Sequence, residues 1–254
     1  MPGRQRRIQA VLFDLDDTLI SWERPAVSRE EFYLPRIEKL HCVLSSAGHH
    51  PPPYQEFWEI IDRAIMAMWA EAKKTWRITS LDQLLDKVFV DLGLDTSDLD
   101  GSQVLQLFDW APRPGVDPFP ETLPVLRALR EKGYKTGLLT NSFVPMSLRD
   151  VELEAYGLVD LIDQRVSAAD VGYLKPHPAI YEELLARLDV APEEAIFVGD
   201  RPANDIAGAN AVGLVSVLMK PAYLTRDLTG ARPDYTIERL DQLLPVLDSL
   251  AISA

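Results

Sequence analysis

The sequence predicts an α/β protein whose core is a parallel sheet and whose amino-terminal third contributes an inserted helical unit. Three observations predict it. Residues 8–13 (IQAVLF) are apolar but for Gln9 and end on a cluster of carboxylates, the pattern of a strand buried on both faces. Beyond residue 120 the chain alternates between helical and strand periodicity, as repeated strand-helix units do. Between these regions all five tryptophans, Trp22, Trp58, Trp69, Trp76 and Trp110, fall in one stretch of helical texture.

The elements follow in order. After the first strand, residues 28–31 (SREE) and 80–83 (SLDQ) have the form of a capping box, in which a serine and a residue three positions on satisfy each other's backbone amides. Phe57, Ile61, Ile65, Met68 and Trp69 recur at helical spacing, and about four helices are predicted between Ser28 and Trp110. A Pro/Gly-rich stretch, residues 112–120, closes the unit. Helices are then predicted over 121–131 (with Gly133 just beyond its end), 145–156, 178–188, 203–211 and 237–247, and strands over 135–139, 161–167, 195–198 and 214–218. In a sheet of this kind the active site lies at the carboxyl ends of the strands.

Composition excludes several classes. With 254 residues, 47% of them apolar, the chain can bury a substantial core. Its single cysteine, Cys42, cannot form an internal disulfide and reads as a small buried residue on a helical face. No apolar signal segment follows the basic start, so a cytoplasmic location is expected. No stretch approaches the roughly 18 apolar residues of a membrane span. The net charge of −13 speaks against a nucleic-acid partner, which needs a basic stripe. It leaves room for a small anion where a metal and local cations reverse the field. His41, His49, His50 and His177 are the only histidines, and none has metal-ligand or triad spacing. Glycine-rich phosphate loops are absent.

The chemistry concentrates in four places. Asp14 and Asp16, followed by Thr18, leave the end of the first strand. Two carboxylates so placed suit one as nucleophile or metal ligand and the other as proton donor. Alone, the same pattern also describes an acidic turn or a helix cap. Thr140, Asn141 and Ser142 end a second apolar run, and Lys175 precedes Pro176 and Pro178 at the start of a helix. Asp200 and Asp205 follow the strand at 195–198.

These four motifs, in this order, resemble those of the haloacid dehalogenase-like (HAD) superfamily, most of whose members are phosphatases. The resemblance implies a Rossmann-like parallel-sheet core, residues 1–21 and 112–254, with an inserted α-helical cap domain, residues 22–111. It further implies Asp14 as nucleophile, Asp16 as acid and base, and Thr140 and Lys175 as groups that hold the phosphoryl oxygens. Thr18, Asn141 and Ser142 then belong to the substrate site. Magnesium would be held by Asp14, Asp200 and the backbone carbonyl of Asp16, with Asp205 at the metal site directly or through water, and the partner would be a small phosphorylated metabolite. The same fold also serves 2-haloacid dehalogenases and sugar phosphomutases, and a non-catalytic binding protein could retain it. A departing halide needs no proton, so Asp16 favours phosphate. Arg63, Lys73, Lys74, Trp76 and Arg77 are the residues in the helical unit available to a leaving group.

Overall fold

The computed structural model describes residues 7–96, 101–228 and 230–252. Among them, six parallel strands form one sheet in the order β5-β4-β1-β6-β7-β8. The first strand, β1 (Ala10–Phe13), pairs with β4 (Lys135–Thr140) on one side and β6 (Ala195–Gly199) on the other. The edges are completed by β5 (Gln164–Ser167) and by β7 (Val215–Met219) with β8 (Tyr235–Ile237). Phe13 lies level with Leu138 and Val198, so the chain leaves all three central strands at the same rim. That rim is also where the strand order reverses direction, the place where open parallel sheets form their binding crevice.

The unbroken apolar run of β1 has a direct cause. Ala10 and Leu12 enter one apolar cluster with Leu184 and Leu188, while Val11 and Phe13 enter the opposite one with Leu129 and Leu243. Helices cover both faces of the sheet. They are α5 (Thr122–Glu131), α6 (Met146–Ala155), the single turn α7 (Ala168–Val171), α8 (Pro178–Leu188), α9 (Ala207–Val212) and α10 (Leu243–Ile252).

The tryptophan-rich stretch forms α1 (Arg29–Ser46), α2 (Tyr54–Thr75), α3 (Leu81–Asp91) and α4 (Gly101–Leu107). Both expected capping boxes are present, at Ser28 with Glu31 and at Ser80 with Gln83. The chain enters and leaves this unit through a short antiparallel ribbon, β2 (Ile20–Ser21) with β3 (Asp117–Pro118). The unit is docked on the sheet rim. The Leu81 amide donates to Phe143 O (2.8 Å) and the Leu174 amide to Trp76 O (2.8 Å), and Trp69 meets Phe143 edge to face at 6.1 Å.

Three expectations need correction. Residues 237–247 do not form one helix: Tyr235–Ile237 extends the sheet as β8 and α10 begins only at Leu243. The alternation of Tyr235, Thr236 and Ile237 suits a strand, and the helical pattern that follows concealed where it ended. The helix expected over 203–211 opens with a wide π turn, Pro202–Ile206, of the kind found at functional sites. Cys42 is exposed, because the buried stripe of α1 runs through Ile37, Leu40 and Leu44 and position 42 lies on the opposite side. Among the described residues no helix is long and apolar enough to cross a membrane.

Candidate active site

The loops after β1, β4 and β6 and the segment before α8 bring the four motifs together. Lys175 stands at their centre and is 1% exposed. An ammonium has three N–H donors: this one donates to Asp14 Oδ1 at 2.6 Å and the Leu139 carbonyl at 3.0 Å, and it forms a second ion pair with Asp205 Oδ1 at 2.8 Å. Burial opposes the charge on Lys175, but Asp14 and Asp205 outweigh it and hold its pKa above the ordinary value. Asn141 fixes the backbone of this lysine, accepting from its amide (2.7 Å) and donating to its carbonyl (3.1 Å). The side chain of Asn141 thus positions Lys175. Ser142 shapes the same loop by accepting from the Val144 amide (3.0 Å).

Three carboxylates form a second group. Oxygens of Asp14, Asp200 and Asp205 lie within 4.8 Å of one another, and all three residues are buried. Burial raises the Asp14 carboxyl well above the usual carboxylate range; Lys175 opposes the rise, and Asp205, Asp200 and Asp16 add to it. Burial, reinforced by Asp205 and opposed by Arg226, raises Asp200 to about 6. Two details aim these groups. The π turn folds Asp205 back so that its Oδ2 accepts from the Arg201 amide (2.8 Å), and a Cβ on Gly199 would lie 2.5 Å from the Asp205 Cβ, which explains the glycine. Asp200 Oδ2 pairs with Arg226, whereas its buried Oδ1 has no hydrogen-bond partner among the described residues. Crowded like charges and an orphaned carboxylate oxygen are the conditions that a hard, oxygen-seeking divalent cation relieves. The residues present fit such an ion.

Thr18 and Thr140 are fully buried with hydroxyls that have no hydrogen-bond partner among the described residues. Buried hydroxyls are nearly always paired, so two unused ones beside a cation-bearing lysine are available to an incoming anion. Asp16 is placed differently. Its Oδ1 accepts from Trp22 Nε1 (2.7 Å) and lies 3.6 Å from Arg149 Nη2. It borders a cavity of about 230 Å³ between the sheet rim and the helical unit, walled by Trp22, Tyr33, Trp69, Trp110 and Arg149 among others. Asp14 belongs to the lysine side and Asp16 to the cavity side, so the two carboxylates of the first motif face different tasks.

None of Arg63, Lys73, Lys74, Trp76 and Arg77 lines that cavity. All five are exposed, and Arg77 sits over the Tyr173 ring at 5.2 Å. The cavity's cations are Arg29, Arg113 and Arg149, which sequence reasoning missed. A signal existed for one of them. Arg149 and Glu152 are opposite charges three residues apart on the apolar face of α6, flanked by Leu148 and Leu153, and both are buried. Arg226 and Tyr223, which reach Asp200 and Asp17 from the loop after β7, carried no signal of their own.

Known proteins resemble this chain in sequence and fold. Over 138 residues the chain is 36% identical to the glyceraldehyde 3-phosphate phosphatase of Methanopyrus kandleri, an overlap covering 53% of this chain and 58%, just over half, of that protein. Over 252 residues it is 28% identical to the pyrophosphatase PpaX of Bacillus cereus, covering 96% of this chain and 98% of that one. The crystal structure of a HAD phosphatase from Thermococcus onnurineus superposes with a TM-score of 0.60 at 27% identity, covering 94% of this chain and 98% of that one. That of a 2-haloacid dehalogenase from Pseudomonas syringae pv. Tomato gives 0.62 at 29%, covering 95% and 99%. The family pattern of haloacid dehalogenase-like hydrolases matches residues 8–213, a span that holds all four motifs, and the chain belongs to that family of enzymes.

Proposed function

We propose that the protein is a magnesium-dependent phosphohydrolase that cleaves a small phosphate monoester through an aspartyl-phosphate on Asp14, with residues 22–111 acting as a cap over the site. The observation that carries this reading is the division of labour in the first motif: Asp14 lies against Lys175 and beside two carboxylates that could hold a metal with it, and Asp16 faces the cavity where a leaving group would sit. A departing halide needs no acid at that position, whereas a departing alkoxide does. The phosphatase and pyrophosphatase activities in the names of two relatives support the same choice.

In the proposed mechanism an Asp14 oxygen forms a bond to phosphorus as the ester P–O bond breaks, and the leaving oxygen takes the proton of Asp16. Asp16 then removes a proton from the water that attacks the phosphoryl-aspartate, which releases phosphate and restores Asp14. Lys175, Thr18 and Thr140 meet the charge on the phosphoryl oxygens as it is redistributed. Magnesium, held by Asp14, Asp200, Asp205 and the Asp16 carbonyl, would supply further positive charge to those oxygens.

The experiment is hydrolysis of a panel of phosphate monoesters with and without metal. Chelation should abolish turnover and magnesium should restore it. Turnover that survives chelation would contradict the reading. Magnesium affinity also has a predicted pH dependence, measurable by calorimetry without substrate. Because Asp200 titrates at about 6, protons compete with the metal below that value, and affinity should fall as the pH drops from 7.5 to 5.5. Stability of the metal-free protein should move the other way. A carboxyl at about 6 when folded and near 4 when unfolded binds its proton more tightly in the native state, so stability rises as pH falls from about 6 toward 4. Thermal melts in chelator test this sign, and a magnesium affinity independent of pH would remove Asp200 from the metal site.

A further inference from the structure

We infer that the leaving group of the natural substrate carries its own anionic group, a carboxylate or a second phosphate, and that Arg149 recognises it. The inference rests on the phosphohydrolase reading and adds a substrate class to it. The starting observation is Arg149 itself, which projects from α6 and is 5% exposed. Its Nη1 pairs with Glu152 Oε2 at 3.0 Å. Its Nε and Nη2, both buried, have no hydrogen-bond partner among the described residues; Nη2 faces Asp16 Oδ1 across 3.6 Å, an ion pair too long for a hydrogen bond. A guanidinium that hydrogen-bonds through one nitrogen and leaves the adjoining Nε–Nη2 edge without a hydrogen bond presents two parallel donors, the fork that matches carboxylate and phosphate oxygens. Leaving such donors unsatisfied in the interior is costly, so the arrangement is complete only when an acceptor arrives.

The surroundings agree. Arg149 lines the same cavity as Asp16, so a group bound to its fork would belong to the part of the ester that departs. Glu152 is held in turn by Trp110 Nε1 (3.4 Å), which fixes the guanidinium in its plane. Arg29 and Arg113 also line the cavity. Arg29 pairs with Asp62 yet leaves its buried Nη2 without a hydrogen-bond partner among the described residues, and Arg113 spends its donors on the Val27 carbonyl at 2.7 and 3.2 Å. Three guanidiniums thus balance the carboxylates of Asp16, Glu152 and Asp62, so the cavity escapes the acidity of a chain of net charge −13 and its guanidiniums can meet an anion. At about 230 Å³ the cavity is smaller than sites for drug-sized ligands, so the leaving group is short.

The test compares four two-carbon esters that differ only at the far end: ethyl phosphate, phosphoethanolamine, phosphoglycolate and ethylene glycol bisphosphate. Wild-type protein with magnesium should favour at least one of the two anionic esters over ethyl phosphate by about 100-fold in kcat/KM, chiefly through KM, and should gain nothing from the ammonium. Which anionic ester is favoured separates carboxylate from phosphate recognition. In Arg149→Met combined with Glu152→Gln, which leaves no unpaired buried charge, the preference should fall to within about 3-fold, and in Arg149→Lys, which keeps the charge but loses the fork, it should be intermediate. Should the double variant not fold, Arg149→Lys and the wild-type panel still decide. A wild-type preference within about 3-fold, or one that survives in folded Arg149 variants, overturns the inference while leaving the phosphohydrolase reading intact. Failure of wild-type protein to hydrolyse any ester, p-nitrophenyl phosphate included, removes both.

Discussion

Asp14→Asn is expected to lower kcat by roughly 10⁴-fold or more on every phosphate ester, the scale seen when a nucleophile is removed from a catalytic unit. The amide is nearly isosteric with the carboxylate but is a far weaker nucleophile. The fold should persist for a reason visible in the site. Lys175 exchanges one anionic acceptor for a neutral amide oxygen and keeps Asp205 and the Leu139 carbonyl, while Asp200 and Asp205 lose a like-charged neighbour. The two effects oppose each other, and the net change in stability should stay within about 1 kcal/mol. Single-turnover kinetics and a thermal melt on the same preparation check both halves. Residual turnover within about 10-fold of wild type would remove Asp14 from the mechanism.

Lys175→Met should behave differently, with loss of activity accompanied by loss of stability. The lysine hydrogen-bonds the Asp14 side chain and also pairs with Asp205. Without it, carboxylates already crowded by Asp200 are left buried and unpaired. Removing one partner of such a pair typically costs about 3–5 kcal/mol, so the metal-free variant should unfold at clearly lower urea concentration. The defect has a predicted pH dependence. Asp14 already holds its proton well above the usual range because it is buried, and losing Lys175 raises that affinity further. Protonation therefore relieves the variant, and the stability difference from wild type should shrink as pH falls. Magnesium should recover part of the difference at neutral pH by supplying the missing positive charge. A variant as stable as wild type in chelator would show that the ammonium is not what holds these carboxylates.

How much of this was legible in the sequence depended on the range of the interaction. The buried strand at residues 8–13, the helix at 178–188 and the capping boxes at Ser28 and Ser80 are written in local periodicity, and the structure has them. The four motifs were legible because each sits at the end of a strand or the start of a helix, where chain order alone predicts a shared rim. Arg149 was missed although its i,i+3 pairing with Glu152 is local: what buries the pair is tertiary, the helical unit that brings Trp110 onto Glu152. Arg226 and Tyr223 lie in a loop without periodicity, and they reach Asp200 and Asp17 only because β7 ends beside β6. Lys175 was the reverse case. Its motif marked it, but nothing local said that it would be almost wholly buried between Asp14, Asp205 and the Leu139 carbonyl.

The central claim is that a carboxylate of this chain carries the phosphoryl group, and it can be tested by trapping that species. Asp16→Asn removes the base needed by the attacking water and leaves the metal ligands in place. With p-nitrophenyl phosphate, whose leaving group departs without a proton, the first displacement should survive better than the second. Rapid quenching followed by peptide mass spectrometry should then find about 80 Da added to the peptide that contains Asp14, the mass of one phosphoryl group held by covalent catalysis. Release of one equivalent of nitrophenol with no mass gained on that peptide, or with the gain on a different one, would contradict the account.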